Sequence, residues 1–240
     1  MLNGRDIEPV RIAYLTFWEK VTELTSGKAK HLDRQKFNVT LDAKKRLNVD
    51  TGALEISGAV GRPNRQSKDR FKIFLQSQCI IEDAGDAKER KLVLTQCVVR
   101  VLWLEDVAAD KRPRAVRGMH FDYAEDDHHP VFHVQVDDRV LPPEFVGVEY
   151  ESDAKRVETP RIPTAPMDLC ATVYMILHDH FSPVVLQGWN ADAQRAIAGM
   201  PRLPCKPISD RVKERGYLDC LWWYPNHQRG YQGQKKADAT

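Results

Sequence analysis

Hydrophobic residues recur along this chain in two periods. Between residues 8 and 25, Val10, Ala13, Tyr14, Phe17, Trp18, Val21 and Leu24 fall at helical spacing, with Pro9 suited to a first turn and Gly27 to an exit. This predicts one amphipathic helix. The basic stretch that follows reads as a loop or short helix, and residues 39–57 as a short helix or hairpin. Residues 58–69 are loop by composition. From residue 70 the period drops to two. Phe71, Ile73, Leu75, Cys79 and Ile81 share one side of a strand; Val93, Thr95, Cys97, Val99, Val101 and Trp103 share one side of the next. "DAGDAKER" between them reads as a hairpin loop. Residues 117–123 and 131–136 supply a third and a fourth strand.

Four successive strands with short connections predict an antiparallel meander. Beyond a proline-rich crossing, "MDLCATVYMILHDHF" is apolar nearly all round, which predicts a helix buried against the sheet, with Thr164 as its N-cap. Residues 190–199 and 209–223 are shorter helical candidates. The expected fold class is α+β, about four antiparallel strands packed by helices, in a single domain over 1–225, with 226–240 a flexible tail.

Composition narrows the class little. The 240 residues have ordinary hydrophobic and charged fractions. Cys79, Cys97, Cys170, Cys205 and Cys220 are odd in number and form no CxxC pair, which predicts reduced thiols and no cysteine-based zinc site. No signal-like segment or membrane-length apolar run is visible, so a soluble cytoplasmic protein is expected. The net charge of +2 conceals an asymmetry. Residues 1–75 carry 15 basic against 9 acidic side chains, and residues 121–160 carry 3 against 11. The basic third is suited to phosphates, or is simply a solvated surface.

The acidic region overlaps the densest cluster of histidines. "RGMHFDYAEDDHHPVFHVQV", residues 117–136, holds four of the eight. Alternation puts Met119, Phe121 and Tyr123 on one face and Gly118, His120 and Asp122 on the other. On the fourth strand it separates Phe132, Val134 and Val136 from His133 and Gln135. One register that aligns the apolar faces sets His120 opposite His133 and Phe121 opposite Phe132. Two imidazoles and a carboxylate then converge, and three readings stand. Paired imidazoles serve as general base and general acid, the pair that a ribose 2′-hydroxyl needs to attack its own phosphodiester without any metal or other cofactor. Asp122 then orients them, while Arg100, or less favourably Arg117, stabilises the phosphorane. Alternatively, two histidines and Asp122 are ligand types for a divalent metal. Or the residues form a hydrated strand face.

Elsewhere, His178 and His180 lie about 200° apart on the buried helix and cannot share one ion. His178 reads as a core or boundary residue. Asp168 and His180 suit the two ends of the helix dipole. Arg161 is placed to bind phosphate or to form a salt bridge. Trp222, Trp223 and Tyr224 are suited to stacking on unpaired bases or to plugging a core or partner surface. There is no GxxxxGK[ST], GxGxxG or HExxH motif.

The strings "HFDY", "HPVFHVQ" and "RIPTAPMDL…MILHDHF", over residues 117–182, resemble small bacterial protein families found in toxin–antitoxin and phage-defence settings, and are loosely similar to TumE-type toxins. The resemblance singles out His120, Asp122, His133 and Arg161. The function it implies is a defence- or toxin-associated protein acting on RNA, a possible ribonuclease. The alternatives are a non-catalytic accessory protein that binds a partner encoded nearby, and a hydrolase of a nucleotide or other phosphorylated small molecule.

Overall fold

In a computed structural model of the chain, residues 2–60, 70–85, 91–108, 110–124, 132–137, 140–152, 162–164 and 167–181 are described. The first helix, α1, spans Ile7–Leu24. It follows a single 3-10 turn closed by a reciprocal cap, in which the Asn3 side chain accepts from Arg5 N at 2.9 Å and Asn3 N donates to Asp6 Oδ2 at 2.7 Å. Phe17, Trp18 and Val21 are its buried face. The buried Thr25 links its exit to the sheet. Thr25 Oγ1 donates to the Val21 carbonyl at 2.8 Å and accepts from Ala29 N at 3.1 Å.

Among the described residues, nine strands form one antiparallel sheet: β1 (Ala29–His31), β2 (Asn38–Leu41), β3 (Leu47–Asp50), β4 (Leu54–Val60), β5 (Arg70–Asp83), β6 (Leu92–Glu105), β7 (Ala115–Ala124), β8 (Phe132–Val136) and β9 (Ile162–Pro163). Its main order is β1-β4-β5-β6-β7-β8-β9, with β3 also on β5 and β2 on β3. Strands β5 to β8 are the expected meander. The four-strand expectation is therefore too small, because residues 28–60, read as loop, short helix or hairpin, supply four more strands and the crossing segment a ninth. Strands β3 and β4 lie end to end along the same edge of β5, against Gln78–Ile81 and Arg70–Leu75 respectively. The joint between them is clipped by Thr51, whose N donates to the Ser77 carbonyl at 3.0 Å and whose Oγ1 accepts from Ser77 N at 2.9 Å.

One face of the sheet holds the main core. Ile73, Leu75, Cys79 and Ile81 of β5, Cys97, Val99, Val101 and Trp103 of β6, and Phe121, Tyr123 and Phe132 pack with α1 and with a later helix, α3 (Leu169–His180). The alternation expected on β6 fails at one point. Gln96 pairs with Ile80 and Leu94 with Ile81, leaving Thr95 as an extra residue, so that Leu94 joins this core. A second bulge in β4, between Ile56 and Ala59, contains Gly58 at φ +72°. The opposite face carries a small apolar cluster at one end, formed by Phe74, Leu102, Leu104, Ala115, Val140, Leu141 and Val146, the last in the short helix α2 (Pro143–Val146).

Helix α3 is capped by Asp168, not by Thr164; the Asp168 Oδ1 accepts from Ala171 N at 2.8 Å. Its buried side is Leu169, Cys170, Thr172, Val173, Ile176 and Leu177, whereas Tyr174 and His178 are exposed and stack on each other. The expectation that His178 sits in the core is corrected by this orientation. The sheet takes the stripe of β-branched and long aliphatic residues, and the Tyr174–His178 stripe turns away. His180 accepts from Trp103 Nε1 at 3.0 Å and is a packing residue. The helical candidates at 190–199 and 209–223, Cys205, Cys220, the Trp222–Tyr224 cluster and the 226–240 tail lie outside the described residues.

Cys79, Cys97 and Cys170 are buried. Burial pushes the Cys79 thiol up from 9 to about 12, against a smaller opposing effect of the Tyr14 hydroxyl 3.1 Å away. A native pKa above the unfolded one means that the native state holds this proton more tightly. The stability it contributes is complete below pH 9 and is lost as pH rises towards about 12. Urea midpoints should fall across this interval more steeply in the wild-type chain than in Cys79→Ala. Equal slopes would show that the thiol is not linked to folding.

Candidate functional site

The polar end of the second sheet face is assembled by strand register. Two adjacent rows of opposed residues cross the sheet there. One runs Gln76, Arg100, His120, Gln135; the other runs Asp50, Gln78, Val98, Asp122, His133. All these side chains point the same way because they are an even number of residues apart on each strand. The expected faces of β7 and β8 are thus observed. The expected register is not. His133 lies opposite Asp122 and His120 opposite Gln135, a shift of two residues from the His120–His133 pairing. A two-residue shift leaves every side chain on its original face, so the cluster survives it.

At the centre, Asp122 Oδ2 lies 3.2 Å from His120 Nε2 and 3.2 Å from His133 Nε2. The imidazole centroids are 6.4 Å apart with the planes at 77°. One ligand-type atom from each residue falls within 4.8 Å of the other two. His133 is 2% exposed, whereas His120 and Asp122 are 19% and 22% exposed. Burial disfavours the Asp122 carboxylate, but hydrogen bonds from His120 and His133 and their charges outweigh it and hold the carboxyl far below the usual range. Asp122 Oδ1 is buried with no hydrogen-bond partner among the described residues.

These distances are compatible with two arrangements. Protein N–H···O bonds are about 2.7–3.2 Å long. Ligands bonded at about 2.1 Å to one ion are separated by about 3.4 Å in a tetrahedron and about 3.0 Å at a right angle. The two 3.2 Å edges fit both, and the three ligand-type atoms lie within 4.8 Å of one another. Asp122 would offer such an ion a carboxylate whose Oδ1 has no partner among the described residues. Two histidines and one carboxylate are a known open set for zinc and for non-haem iron, leaving positions for water and substrate.

Arg100 belongs to the neighbouring row. Its Nη1 donates to Gln78 Oε1 at 2.7 Å and to Gln76 Oε1 at 3.3 Å. Both amides are anchored from behind by Asp50, which accepts from Gln78 Nε2 at 2.6 Å and from Gln76 Nε2 at 3.0 Å. Asp50 is itself fixed by Gly52 N at 2.9 Å, in a turn where Gly52 adopts φ +60° and a Cβ would lie 3.0 Å from Lys36 Cβ.

The structure thus brings together His120, Asp122 and His133, and places Arg100 on the same face opposite His120. Arg117 is exposed and pairs with Trp103, on the opposite parity. Arg161, His128 and His129 lie outside the described residues. Sequence reasoning missed Asp50, Gln76 and Gln78. The available signal was "LQSQC", in which both glutamines have the parity opposite to Leu75 and Cys79. Among the described residues, no helix is long and apolar enough to cross a membrane. No family model, curated protein or solved structure matches this chain.

Proposed function

We propose that His120, Asp122 and His133 hold one first-row divalent transition ion, zinc by preference, and that the chain is a hydrolase working at that ion. The observation that carries this reading is the convergence of three ligand-type atoms within 4.8 Å of one another, on a carboxylate whose buried Oδ1 has no partner among the described residues. An ion held there would lower the pKa of its bound water to about 7 and supply hydroxide at neutral pH. His120 and Asp122 are both partly accessible, whereas His133 is almost wholly covered.

A second reading keeps the metal-independent acid–base reaction on RNA, with His120 and His133 as the pair and Arg100 as the phosphate contact. It is favoured by the shared face of all three residues. It ranks second because both Nε2 atoms are turned to one carboxylate oxygen and His133 is almost wholly covered. Metal analysis of the purified full chain, with RNA and phosphodiester hydrolysis followed with and without EDTA, separates the two. The first reading expects about one ion per chain and activity that EDTA removes and zinc restores. Cleavage that persists in EDTA but fails in both His120→Ala and His133→Ala would replace it with the second.

A further inference from the structure

We infer that the ligand of this centre carries a phosphoryl group, and that Arg100 receives it, held in position by the Gln76–Gln78–Asp50 relay. The inference rests on the ion-centre reading for its location, but on separate observations for its chemistry.

Arg100 is half-buried near the middle of a nine-stranded sheet. Arginine in such places is normally paired with a carboxylate. Among the described residues Arg100 has no ion pair. Its two acceptors are neutral amide oxygens, and both are taken by Nη1. The nearest carboxylate in the network, Asp50, does not touch the guanidinium; the two glutamines stand between them. The relay fixes the direction of the guanidinium, and among the described residues no carboxylate compensates its charge. Nε and Nη2 are without partners among the described residues, which leaves one edge of the fork open there.

A planar fork with an uncompensated charge matches a phosphoryl oxyanion, to which arginine binds through two parallel N–H···O bonds. The location supports the same assignment. Arg100 sits directly opposite His120, and neighbouring strands are about 4.8 Å apart. The guanidinium itself leans to Gln76 and Gln78 on β5, so a phosphorylated ligand lying across β6 and β7 on this face would meet both the fork and the position that His120, Asp122 and His133 surround. Asp50, Gln76 and Gln78 act through Arg100 and are positioning residues.

The test is calorimetric titration of the full chain with inorganic phosphate, with and without zinc. The wild-type chain should bind phosphate, and Arg100→Met should weaken binding at least about tenfold, with unchanged zinc stoichiometry showing that the site is intact. Arg100→Lys should restore only part of the affinity, because an ammonium lacks the fork. Asp50→Asn should weaken phosphate binding when Arg100 is present and have no further effect in Arg100→Met, a coupling that a purely structural role would not produce. Equal phosphate affinity in the wild-type chain and Arg100→Met overturns the inference. A chain that takes up no zinc overturns the ion centre alone; Arg100-dependent phosphate binding in that chain would still uphold the anion site.

Discussion

Replacing Asp122 with Asn should weaken the centre sharply. The amide keeps the shape of the side chain but removes the anionic ligand that both imidazoles face. Zinc affinity is expected to fall by at least about 100-fold, more than for loss of an outer-shell partner. The effect should also appear without any activity assay. Zinc present at about a thousand times its Kd would add about 4 kcal/mol to the stability of the wild-type chain. For a chain of this size that corresponds to a Tm about 8–16 °C higher. EDTA should reverse the shift in the wild-type chain, and in Asp122→Asn, where the same zinc is at most about ten times Kd, the shift it reverses should be no more than about a third as large. If the two proteins respond alike to zinc and EDTA, the 3.2 Å edges are ordinary hydrogen bonds and the ion centre is wrong.

The second large effect lies on the other face of the sheet. Ile176 of α3 is fully buried in the main core, whereas Tyr174, on the opposite side of the same helix, is 47% exposed. Ile176→Ala removes buried methyl and methylene groups and leaves a cavity, which should cost about 2–5 kcal/mol. Tyr174→Ala should change stability by no more than about 0.5 kcal/mol. Denaturant titration of both variants checks the packing of α3 directly. A small loss at Ile176 would mean that this helix does not form part of the core.

The residues that could be read from the sequence are those where a single period runs uninterrupted. His120 and Asp122 were separable from Phe121 and Tyr123, and His133 from Phe132 and Val134, because alternation allows only two faces. Register was not readable. Pairings that differ by two residues preserve the same faces, and the segment between Ala124 and Phe132 has no two-residue turn signature to choose between them. Strands β1 to β4 were obscured for another reason. They are three to seven residues long, and "VTLDAKKRLNVD" contains too few apolar residues to establish a period. The bulges at Thr95 and in β4 shift parity without any marker except Gly58. Gln76 and Gln78 read as ordinary solvent-facing strand residues; only the strand neighbours that bring Asp50 and Arg100 beside them make them a relay.

Strand β9 has only two residues, yet it joins the two faces. His133 is opposite Pro163 and Val134 opposite Ile162, and the Thr164 amide donates to the Phe132 carbonyl at 3.2 Å just before α3 begins. The strand that carries the buried imidazole is therefore leashed, over a handful of residues, to the helix that seals the oily side. If an ion binds at His133, β8 and α3 should therefore gain hydrogen-exchange protection together.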